Sequence, residues 1–239
     1  MSRIIAGVGK GRRLKTAGGD STRPTGARVR QSLFDILAPV IPGCRFLDAF
    51  AGNGGVGLEA LSRGAAKVVL VDKAAAAVEA AKENARALAH AGGEVRVFRQ
   101  DARTALGALA DQGMRFDVVY LDPPYASDLY EPLLASLGEG PLLAEGGVVV
   151  AEHFHKRALP ATIGALTRTR EKRVGDHCLS FYRHVSEAGR TIGADEEARG
   201  ADVQAEGRAD GKSGGRAHDS ATGRAGGGPE GGQSEEEAS

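Results

Sequence analysis

Apolar residues are grouped in five short runs across the middle of the chain. The runs are rich in β-branched residues and have the length of buried strands. They are Arg45–Phe50, Lys67–Val71, Glu94–Arg99, Phe116–Leu121 and Gly147–Ala151. Segments with the composition and spacing of helices separate them, namely Val56–Ser62, Ala74–Ala89, Thr104–Ala110 and Tyr130–Leu137. This alternation predicts βαβ units and a doubly wound, mostly parallel α/β sheet.

Two further apolar segments follow without a helix between them. Ala165–Val174 and Cys178–Val185 flank the turn residues Gly175 and Asp176. We expect an antiparallel C-terminal hairpin at one edge of the sheet, which brings the predicted number of strands to seven.

A different pattern precedes the sheet. Val29, Leu33, Ile36 and Leu37 fall on one helical face, which predicts a helix from an N-cap at Thr25 to about Leu37. Arg28 and Arg30 lie off this apolar stripe and are expected to reach outward. Arg3–Lys15 is glycine-rich and predicts a small hairpin, so that residues 1–40 form a hairpin-helix arm.

The formal net charge of zero hides an asymmetry along the chain. Residues 1–186 hold 25 Lys and Arg against 19 Asp and Glu, and the first thirty residues hold eight Lys and Arg against the single acid Asp20. A basic arm of this kind is suited to nucleic-acid phosphates, although a solvated charged face has the same composition.

The segment from Glu187 to Ser239 has the opposite character. It holds 6 basic and 12 acidic residues, 13 glycines and no aromatic residue. Such a segment cannot bury enough apolar surface to offset chain entropy, so disorder is predicted. The expected organisation is a basic arm (1–40), a catalytic domain (41–186) and an acidic glycine-rich tail (187–239).

The sequence also suggests a cellular location. It has no long apolar run, and residues 1–5 lack the apolar core of a signal peptide, which favours the cytoplasm. Cys44 and Cys178 have no metal-ligand spacing, and we expect both to be small reduced core residues.

A glycine-rich stretch follows the first predicted strand, at the edge where open α/β sheets bind ligands. It runs Asp48-Ala49-Phe50-Ala51-Gly52-Asn53-Gly54-Gly55-Val56-Gly57. Asp72, about twenty residues on, ends the second strand, where an acid can bind ribose hydroxyls. The stretch also matches the GxGxxG pattern of dinucleotide-binding proteins, so a nicotinamide-dependent dehydrogenase is a competing interpretation.

Asp48 favours a different cofactor. A carboxylate at the strand end would oppose a pyrophosphate at the next helix N-terminus. It suits a ligand that carries an ammonium and a sulfonium, which describes S-adenosylmethionine. Asp101, after the third strand, is placed either to accept a hydrogen bond from an adenine amine or to cap the following helix, and both roles are compatible.

The sequence Asp122-Pro123-Pro124-Tyr125 follows the fourth strand. It can form a rigid acidic turn, but a turn alone does not explain the aromatic residue. An exocyclic base amine is a poor nucleophile because its lone pair is delocalised into the ring. A carboxylate and a proline carbonyl can accept both amine hydrogens and favour a pyramidal nitrogen, while Tyr125 stacks on the base. We therefore predict methylation of a base amine.

A metal site is not favoured. His153 and His155 have a spacing that would permit one, but no cluster of carboxylates or cysteines accompanies them.

At this point the chain resembles the RsmD-type 16S ribosomal RNA guanine-N2 methyltransferases, in order and without a large insertion from about Arg3 to Arg183. The matching segments are Arg3–Gly7, Gly11–Leu14, Thr22–Thr25, Arg28–Arg30, Leu33–Leu37, Asp48–Gly64, Asp122–Tyr125 and Gly175–Tyr182. His177 and Cys178 depart from the small polar residues of the family's hairpin, and the acidic tail is not a family feature.

The resemblance implies a Rossmann-like methyltransferase fold, S-adenosylmethionine as cofactor and S-adenosylhomocysteine as product. It also implies 16S rRNA as partner, free or in a small-subunit assembly particle, and a monomer that does not bind membranes. The nominated cofactor residues are Asp48, Phe50, Ala51, Gly52, Gly54, Asp72, Lys73, Asp101 and Ala102, with Asp122, Pro123, Pro124 and Tyr125 at the target base. Those nominated for RNA are Arg3, Lys10, Arg12, Arg13, Arg23, Arg28 and Arg30.

Alternative functions remain open from the residues alone. They are an adenine-N6 methyltransferase on DNA or RNA, a non-catalytic RNA-binding assembly factor and the dehydrogenase. DNA enzymes of the first type carry a separate target-recognition region, and the composition after Val185 does not provide one.

Overall fold

Helices and strands alternate in the computed structural model, which describes residues 2–16, 26–124 and 127–184. The strands are β1 (Ser2–Arg3), β2 (Arg13–Leu14), β3 (Arg45–Asp48), β4 (Lys67–Asp72), β5 (Glu94–Arg99), β6 (Phe116–Leu121), β7 (Leu143–Phe154), β8 (Thr162–Ile163), β9 (Leu166–Val174) and β10 (His177–His184). The helices are α1 (Ala27–Leu37), α2 (Gly57–Ser62), α3 (Ala75–Ala87), α4 (Ala102–Asp111) and α5 (Tyr130–Glu139). Arg23, Thr25, Tyr125 and the acidic tail lie outside the described residues.

The main sheet has the strand order β5-β4-β3-β6-β7-β10-β9-β8. Strands β3 to β7 are parallel, while β10 pairs antiparallel with both β7 and β9. The predicted fold class, a doubly wound, mostly parallel sheet with a C-terminal antiparallel hairpin, is confirmed. The described sheet has eight strands rather than seven because the short β8 pairs with the start of β9.

Alternating side chains of the central strands fill two separate apolar layers. Phe46, Val118 and Tyr120 pack on the side of α1 and α2, and their neighbours Leu47 and Val119 pack on the side of α4 and α5. A parallel sheet covered by helices on both faces requires this burial of consecutive residues. Cys44 and Cys178 are buried and unpaired, so their prediction as core residues is confirmed.

Several predicted boundaries shift for local reasons. Strand β7 begins at Leu143 rather than Gly147, because Leu143 pairs with Phe116 before an irregularity that includes Gly146 at φ 69°. Strand β3 ends at Asp48, where the glycine-rich loop begins. Helix α1 begins at Ala27 with Gly26 at its N-cap position, so the expected cap at Thr25 is wrong by one residue.

The predicted N-terminal hairpin is confirmed as a separate two-stranded sheet, in which Arg3 pairs with Arg13. The strand order of the main sheet reverses between β3 and β6, and open α/β sheets bind ligands at the carboxyl ends of such strands. No helix in the described part of the chain is long and apolar enough to cross a membrane.

Candidate active site

A cavity of about 510 Å³ lies at the carboxyl ends of β3, β4, β5 and β6. Nine of the nominated residues line it: Phe50, Gly52, Asp72, Lys73, Asp101, Ala102, Asp122, Pro123 and Pro124. Four residues that the sequence did not single out also line it: Ala49, Ala74, Gln100 and Leu129. Three of them adjoin nominated residues, whereas Leu129 reaches the cavity only because α5 begins beside it. Asp48, Ala51 and Gly54 do not form its lining.

Gly52 shapes the loop beside the cavity. Its φ of 53° is left-handed, and a Cβ at this position would meet no atom of the described residues within 4 Å. Its N–H donates to Asp72 Oδ2 at 2.8 Å, and Asp72 Oδ1 accepts from Ala74 N–H at the same distance. Asp72 therefore holds the loop after β3 against the loop after β4.

Gly54 is required for packing of the loop against the core. Its φ is 85°, and a Cβ would lie 3.0 Å from Leu58 Cδ1 and 3.1 Å from Leu70 Cδ1. This glycine faces the core and lets the loop pack closely, so its conformation is explained without a ligand.

Asp48 is buried at the end of β3 with 1% of its surface exposed. Its Oδ2 accepts from Gly57 N–H at 3.1 Å, while its Oδ1 has no hydrogen-bond partner among the described residues. Burial raises the pKa of this carboxyl from 3.8 to about 7, against the hydrogen bonds of the Gly57 and Phe50 backbone, which lower it. The nearby carboxylates Asp72 and Glu152 raise it further.

Asp101 caps α4, since its Oδ1 accepts from Arg103 N–H at 3.0 Å. The capping role expected from the sequence is therefore present, and the side chain is also exposed at the cavity.

The reaction-centre segment leaves β6 directly after Leu121. The Asp122 side chain is partly exposed, Pro123 is buried and Pro124 is exposed. The Pro124 carbonyl accepts from Ser127 N–H at 2.8 Å. Among the described residues, the Pro123 carbonyl has only a long contact of 3.4 Å with the Tyr130 hydroxyl. Of the two proline carbonyls, that of Pro123 is therefore the less engaged in hydrogen bonds with the described residues.

A buried polar network supports this segment from β7. Glu152 accepts from the Tyr120 hydroxyl and lies 2.7 Å from His177 Nδ1. The Tyr130 hydroxyl donates to the Glu152 backbone carbonyl at 2.8 Å. These contacts join β6, β7, α5 and β10 behind Asp122. No sequence pattern marked Glu152, because its partners lie 22 to 32 residues away.

The two histidines after the fifth predicted strand have structural contacts. His153 is buried, its Nε2 lies 2.9 Å from Ser180 Oγ, and burial lowers its pKa. His155 Nδ1 lies 3.1 Å from the Asp176 carbonyl. Among residues 2–16, 26–124 and 127–184, no group of three or more His, Cys, Asp or Glu side chains is arranged to hold a metal ion.

The basic arm is fastened to α2 through Glu59, which is fully buried. Glu59 accepts from Ile5 N–H at 2.7 Å and from Ala6 N–H at 2.9 Å, and its Oε1 pairs with Arg63 Nε at 2.8 Å. Arg30 Nη2 donates to the Arg3 carbonyl at 2.6 Å.

The prediction that Arg30 reaches outward is therefore wrong. Its side chain is buried beneath the arm, with its Nε 3.8 Å from Glu59 Oε2, because the arm covers a helix face that would be exposed on an isolated helix. The other described arm cations nominated for RNA are exposed: Arg3, Lys10, Arg12, Arg13 and Arg28.

With this geometry established, comparison with known proteins gives the family. The model of the family described as conserved hypothetical protein 95 matches residues 2–183. The chain belongs to this family, the RsmD-type methyltransferases.

Similar proteins carry related names. The Escherichia coli K12 protein named ribosomal RNA small subunit methyltransferase D is 34% identical over 185 residues, covering 77% of this chain and 91% of the relative. The Bacillus subtilis protein YlbH, which carries the name of an rRNA methyltransferase, is 41% identical over 184 residues, covering 76% and 98%.

Solved structures of the family agree in fold. The Escherichia coli protein yhhF, named a methyltransferase, superposes with a TM-score of 0.66 at 35% identity and covers 76% of this chain and 97% of its own. The predicted class, an S-adenosylmethionine-dependent methyltransferase with a Rossmann-like sheet, is confirmed for this RsmD-type chain.

Proposed function

We propose that this chain transfers a methyl group from S-adenosylmethionine to the exocyclic N2 amine of a guanine in 16S rRNA. The observation that carries the proposal is the position of the Asp122 carboxylate and the Pro123 carbonyl beside the cavity that contains Asp72 and Asp101. The names of the relatives, which specify small-subunit ribosomal RNA, support the substrate.

The residues around the cavity suit this cofactor. Gly52 leaves open space where a side chain would block the approach of a ligand. Asp72 and Asp101 offer acceptors at the ends of adjacent strands, suited to ribose hydroxyls and an adenine amine. Asp48 Oδ1 has no hydrogen-bond partner among the described residues. A cationic ligand beside the loop would favour the ionised form of this carboxyl, whose pKa burial raises to about 7. When bound, S-adenosylmethionine supplies an electrophilic methyl group on a sulfonium.

At the other end of the cavity, the chain's own groups act on the amine. Asp122 and the Pro123 carbonyl each accept one amine hydrogen, which holds the nitrogen pyramidal with its lone pair directed at the cavity. The contribution is alignment and charge stabilisation, since a direct displacement needs the nucleophile held in line. As the nitrogen becomes cationic, the Asp122 carboxylate is the group placed to take its surplus proton.

In the proposed complex, the target base needs an aromatic side chain to stack on, and the RNA phosphates need cations. Tyr125 remains the predicted stacking residue, although it lies outside the described residues. For the phosphates, a groove of about 600 Å³ between the arm and α1 is lined by Arg3, Lys10 and Arg28. Arg12 and Arg13, exposed at the end of the arm hairpin, are proposed to extend this contact.

A methylation assay tests the proposal directly. The purified chain is incubated with methyl-labelled S-adenosylmethionine and either 16S rRNA or small-subunit particles from cells that lack the gene, and nucleosides are analysed by mass spectrometry. We expect labelled N2-methylguanosine. Labelled N6-methyladenosine would instead establish the adenine alternative, and bound but unmethylated RNA would establish a non-catalytic factor.

Calorimetry separates the cofactor question from the substrate question. We expect binding of S-adenosylmethionine and S-adenosylhomocysteine and no binding of NAD. Tight NAD binding without a signal from S-adenosylhomocysteine would contradict the assignment.

A further inference from the structure

Strand β9, which only the short β8 separates from the edge of the sheet, carries a high density of positive charge. Its nine residues read Leu-Thr-Arg-Thr-Arg-Glu-Lys-Arg-Val, and residues 169 to 173 are all exposed. β8 pairs only with Leu166 and Thr167, so most of the outer side of β9 has no partner strand in the described part of the chain. Arg168 is paired with Glu171 at 2.7 Å, but Arg170 and Lys172 form no ion pair with any described residue.

The register of β9 fixes the face on which these two cations lie. Arg170 is opposite Phe181 and Lys172 is opposite Leu179. Directly opposed residues project to the same face of a sheet, and Phe181 and Leu179 belong to the apolar layer beneath α1. Val174, on the same face, packs against that layer. Arg170 and Lys172 therefore lie on the α1 side, where their aliphatic stems can cover the core and their charged ends reach water.

Helix α1 joins this strand to the arm. It contacts β9 on the sheet and receives the arm through the hydrogen bond from Arg30 to the Arg3 carbonyl. The arm, α1 and β9 are therefore neighbouring elements on one side of the sheet. They carry the exposed cations of the arm, Arg28, and the two cations Arg170 and Lys172.

The same strand ends near the reaction centre. Val174 and Phe154 are both opposite His177, so β9 ends level with β7 at the carboxyl edge of the sheet. Three strand spacings separate β9 from β6, which is about 14 Å at the usual distance between strands. An RNA strand held by the arm and bound at Asp122 has its flanking backbone within reach of Lys172.

We propose that Arg170 and Lys172 on β9 form a second RNA-backbone contact, which extends the arm's phosphate-binding surface past the reaction centre. The inference rests on the proposed RNA substrate but not on which base is methylated. Phosphates fit this surface because it offers two cations that form no ion pair with the described residues, and a charge opposite to that of RNA.

Protection of an exposed edge strand is the simpler role for charged residues. Either sign of charge would serve that purpose. The opposite edge of the sheet, at β5, allows the charged residues of the two edges to be compared. On β5, Arg96 pairs with Glu94 at 2.5 Å, and Lys67 reaches the same carboxylate at 3.6 Å. Two cations at that edge share the Glu94 carboxylate, whereas Arg170 and Lys172 on β9 have no ion-pair partner among the described residues.

The test measures RNA affinity over a salt series by fluorescence anisotropy with a labelled 16S rRNA fragment. Arg170→Gln with Lys172→Gln should lower the slope of log Kd against log salt by about 1.4, since each lost contact to a single strand removes about 0.7. Single-turnover methyl transfer at saturating RNA and affinity for S-adenosylhomocysteine should stay unchanged.

The matched control is Arg86→Gln with Arg96→Gln, which removes the same charge from α3 and β5 at the far edge of the sheet. Its slope should equal that of the wild type. An equal loss in both double variants would reduce the effect to net charge and overturn the proposal, as would no loss in either.

Arg170→Glu with Lys172→Glu distinguishes RNA contact from edge protection. It keeps the edge charged, so the variant should stay soluble and folded, but it repels phosphate and should weaken RNA binding more than the glutamine variant. Normal RNA affinity in this variant, or a changed oligomeric state by light scattering, would sink the proposal. RNA affinity is measured separately from the identity of the methylated nucleoside. If the methylated base is not guanine, the affinity result therefore still tests the contact at β9.

Discussion

Asp48 ends β3 and Asp122 follows the neighbouring strand β6, but the two side chains have very different surroundings. Asp48 is buried, hydrogen-bonded to the loop and carries a raised pKa. Asp122 is partly exposed at the cavity, where the amine of the proposed substrate would reach it. The surroundings of Asp48 suit it to organising the loop, and those of Asp122 suit it to the proposed contact with the base.

Substitution of Asp122 should separate chemistry from binding. Asp122→Ala is expected to abolish methyl transfer while leaving affinity for RNA and S-adenosylhomocysteine largely intact, because its contact matters most as the amine becomes pyramidal. Single-turnover kinetics at saturating RNA, with calorimetry of the cofactor, measure the two properties. A normal single-turnover rate in this variant would mean that the reaction centre lies elsewhere.

The raised pKa of Asp48 predicts a pH dependence of stability. Between its ordinary pKa of 3.8 and the folded value of about 7, the folded state holds a proton that the unfolded state has released. The free energy of unfolding contributed by this group therefore falls as the pH rises through that window, by at most about 1.4 kcal/mol per pH unit.

Asp48→Asn removes the titration and serves as the comparison. The difference in unfolding free energy between variant and wild type should move in favour of the variant from pH 4 to pH 7 and then level off. Urea unfolding at a series of pH values measures it. A difference that does not vary with pH would show that Asp48 titrates near its ordinary value.

At the scale of elements, the arm depends on how closely it can approach α2. Glu59 receives two backbone N–H groups of the arm, and Ser62 Oγ accepts from Gly9 N–H at 2.9 Å. Gly7 lies so close to this helix that a Cβ would be 1.8 Å from the Ser62 carbonyl oxygen. The arm is therefore a docked element whose position depends on a glycine.

Two glycines of the arm provide a matched pair for testing this docking. Gly7 and Gly11 have similar φ values of 77° and 83°, but a Cβ at Gly11 would meet no atom of the described residues within 4 Å. Both Gly→Ala variants bear the cost of left-handed backbone, about 1–2 kcal/mol, and only Gly7→Ala adds a clash with backbone. Gly7→Ala should lower the Tm by clearly more than Gly11→Ala and should weaken RNA binding. Equal melting temperatures would contradict the docked position.

At the scale of the whole molecule, the chain divides by composition into a part that can form a core and a part that cannot. The two apolar layers of the sheet are built from residues between Ile4 and Tyr182. Residues 187–239 contain only Ile192 and Val203 as large aliphatic side chains. The sequence thus predicts that the tail adds little to the free energy of folding.

Truncation after Glu187 tests this division. The Tm should stay nearly unchanged, because no packed core is lost, whereas RNA affinity can rise if the acidic tail competes for the basic surfaces. Thermal melting with RNA-binding measurements on both lengths of chain gives the answer. A Tm drop of several degrees would indicate that the tail packs on the folded part.

Much of the fold follows from local patterns that the sequence carries. The bounds of β5 and β6 match the predicted runs, because buried parallel strands need short β-branched segments. Once parallel strands are predicted, residues after their carboxyl ends must share one edge of the sheet. For that reason Asp72, Asp101 and Asp122 could be assigned to one cavity from the sequence.

Other features depended on contacts between distant parts of the chain. Arg30 lies off the apolar stripe of α1, yet it is buried because the arm, 27 residues earlier, covers it. Glu152 is part of a buried network only because folding brings Tyr120, Tyr130 and His177 to it. The Pro124 carbonyl is engaged because the turn places the Ser127 N–H beside it. The sequence by itself determined the sheet, its order of elements and the edge that holds the site, because periodicity is local. Only the tertiary structure decided which polar groups are buried, paired or left open, because those properties belong to surfaces that meet after folding.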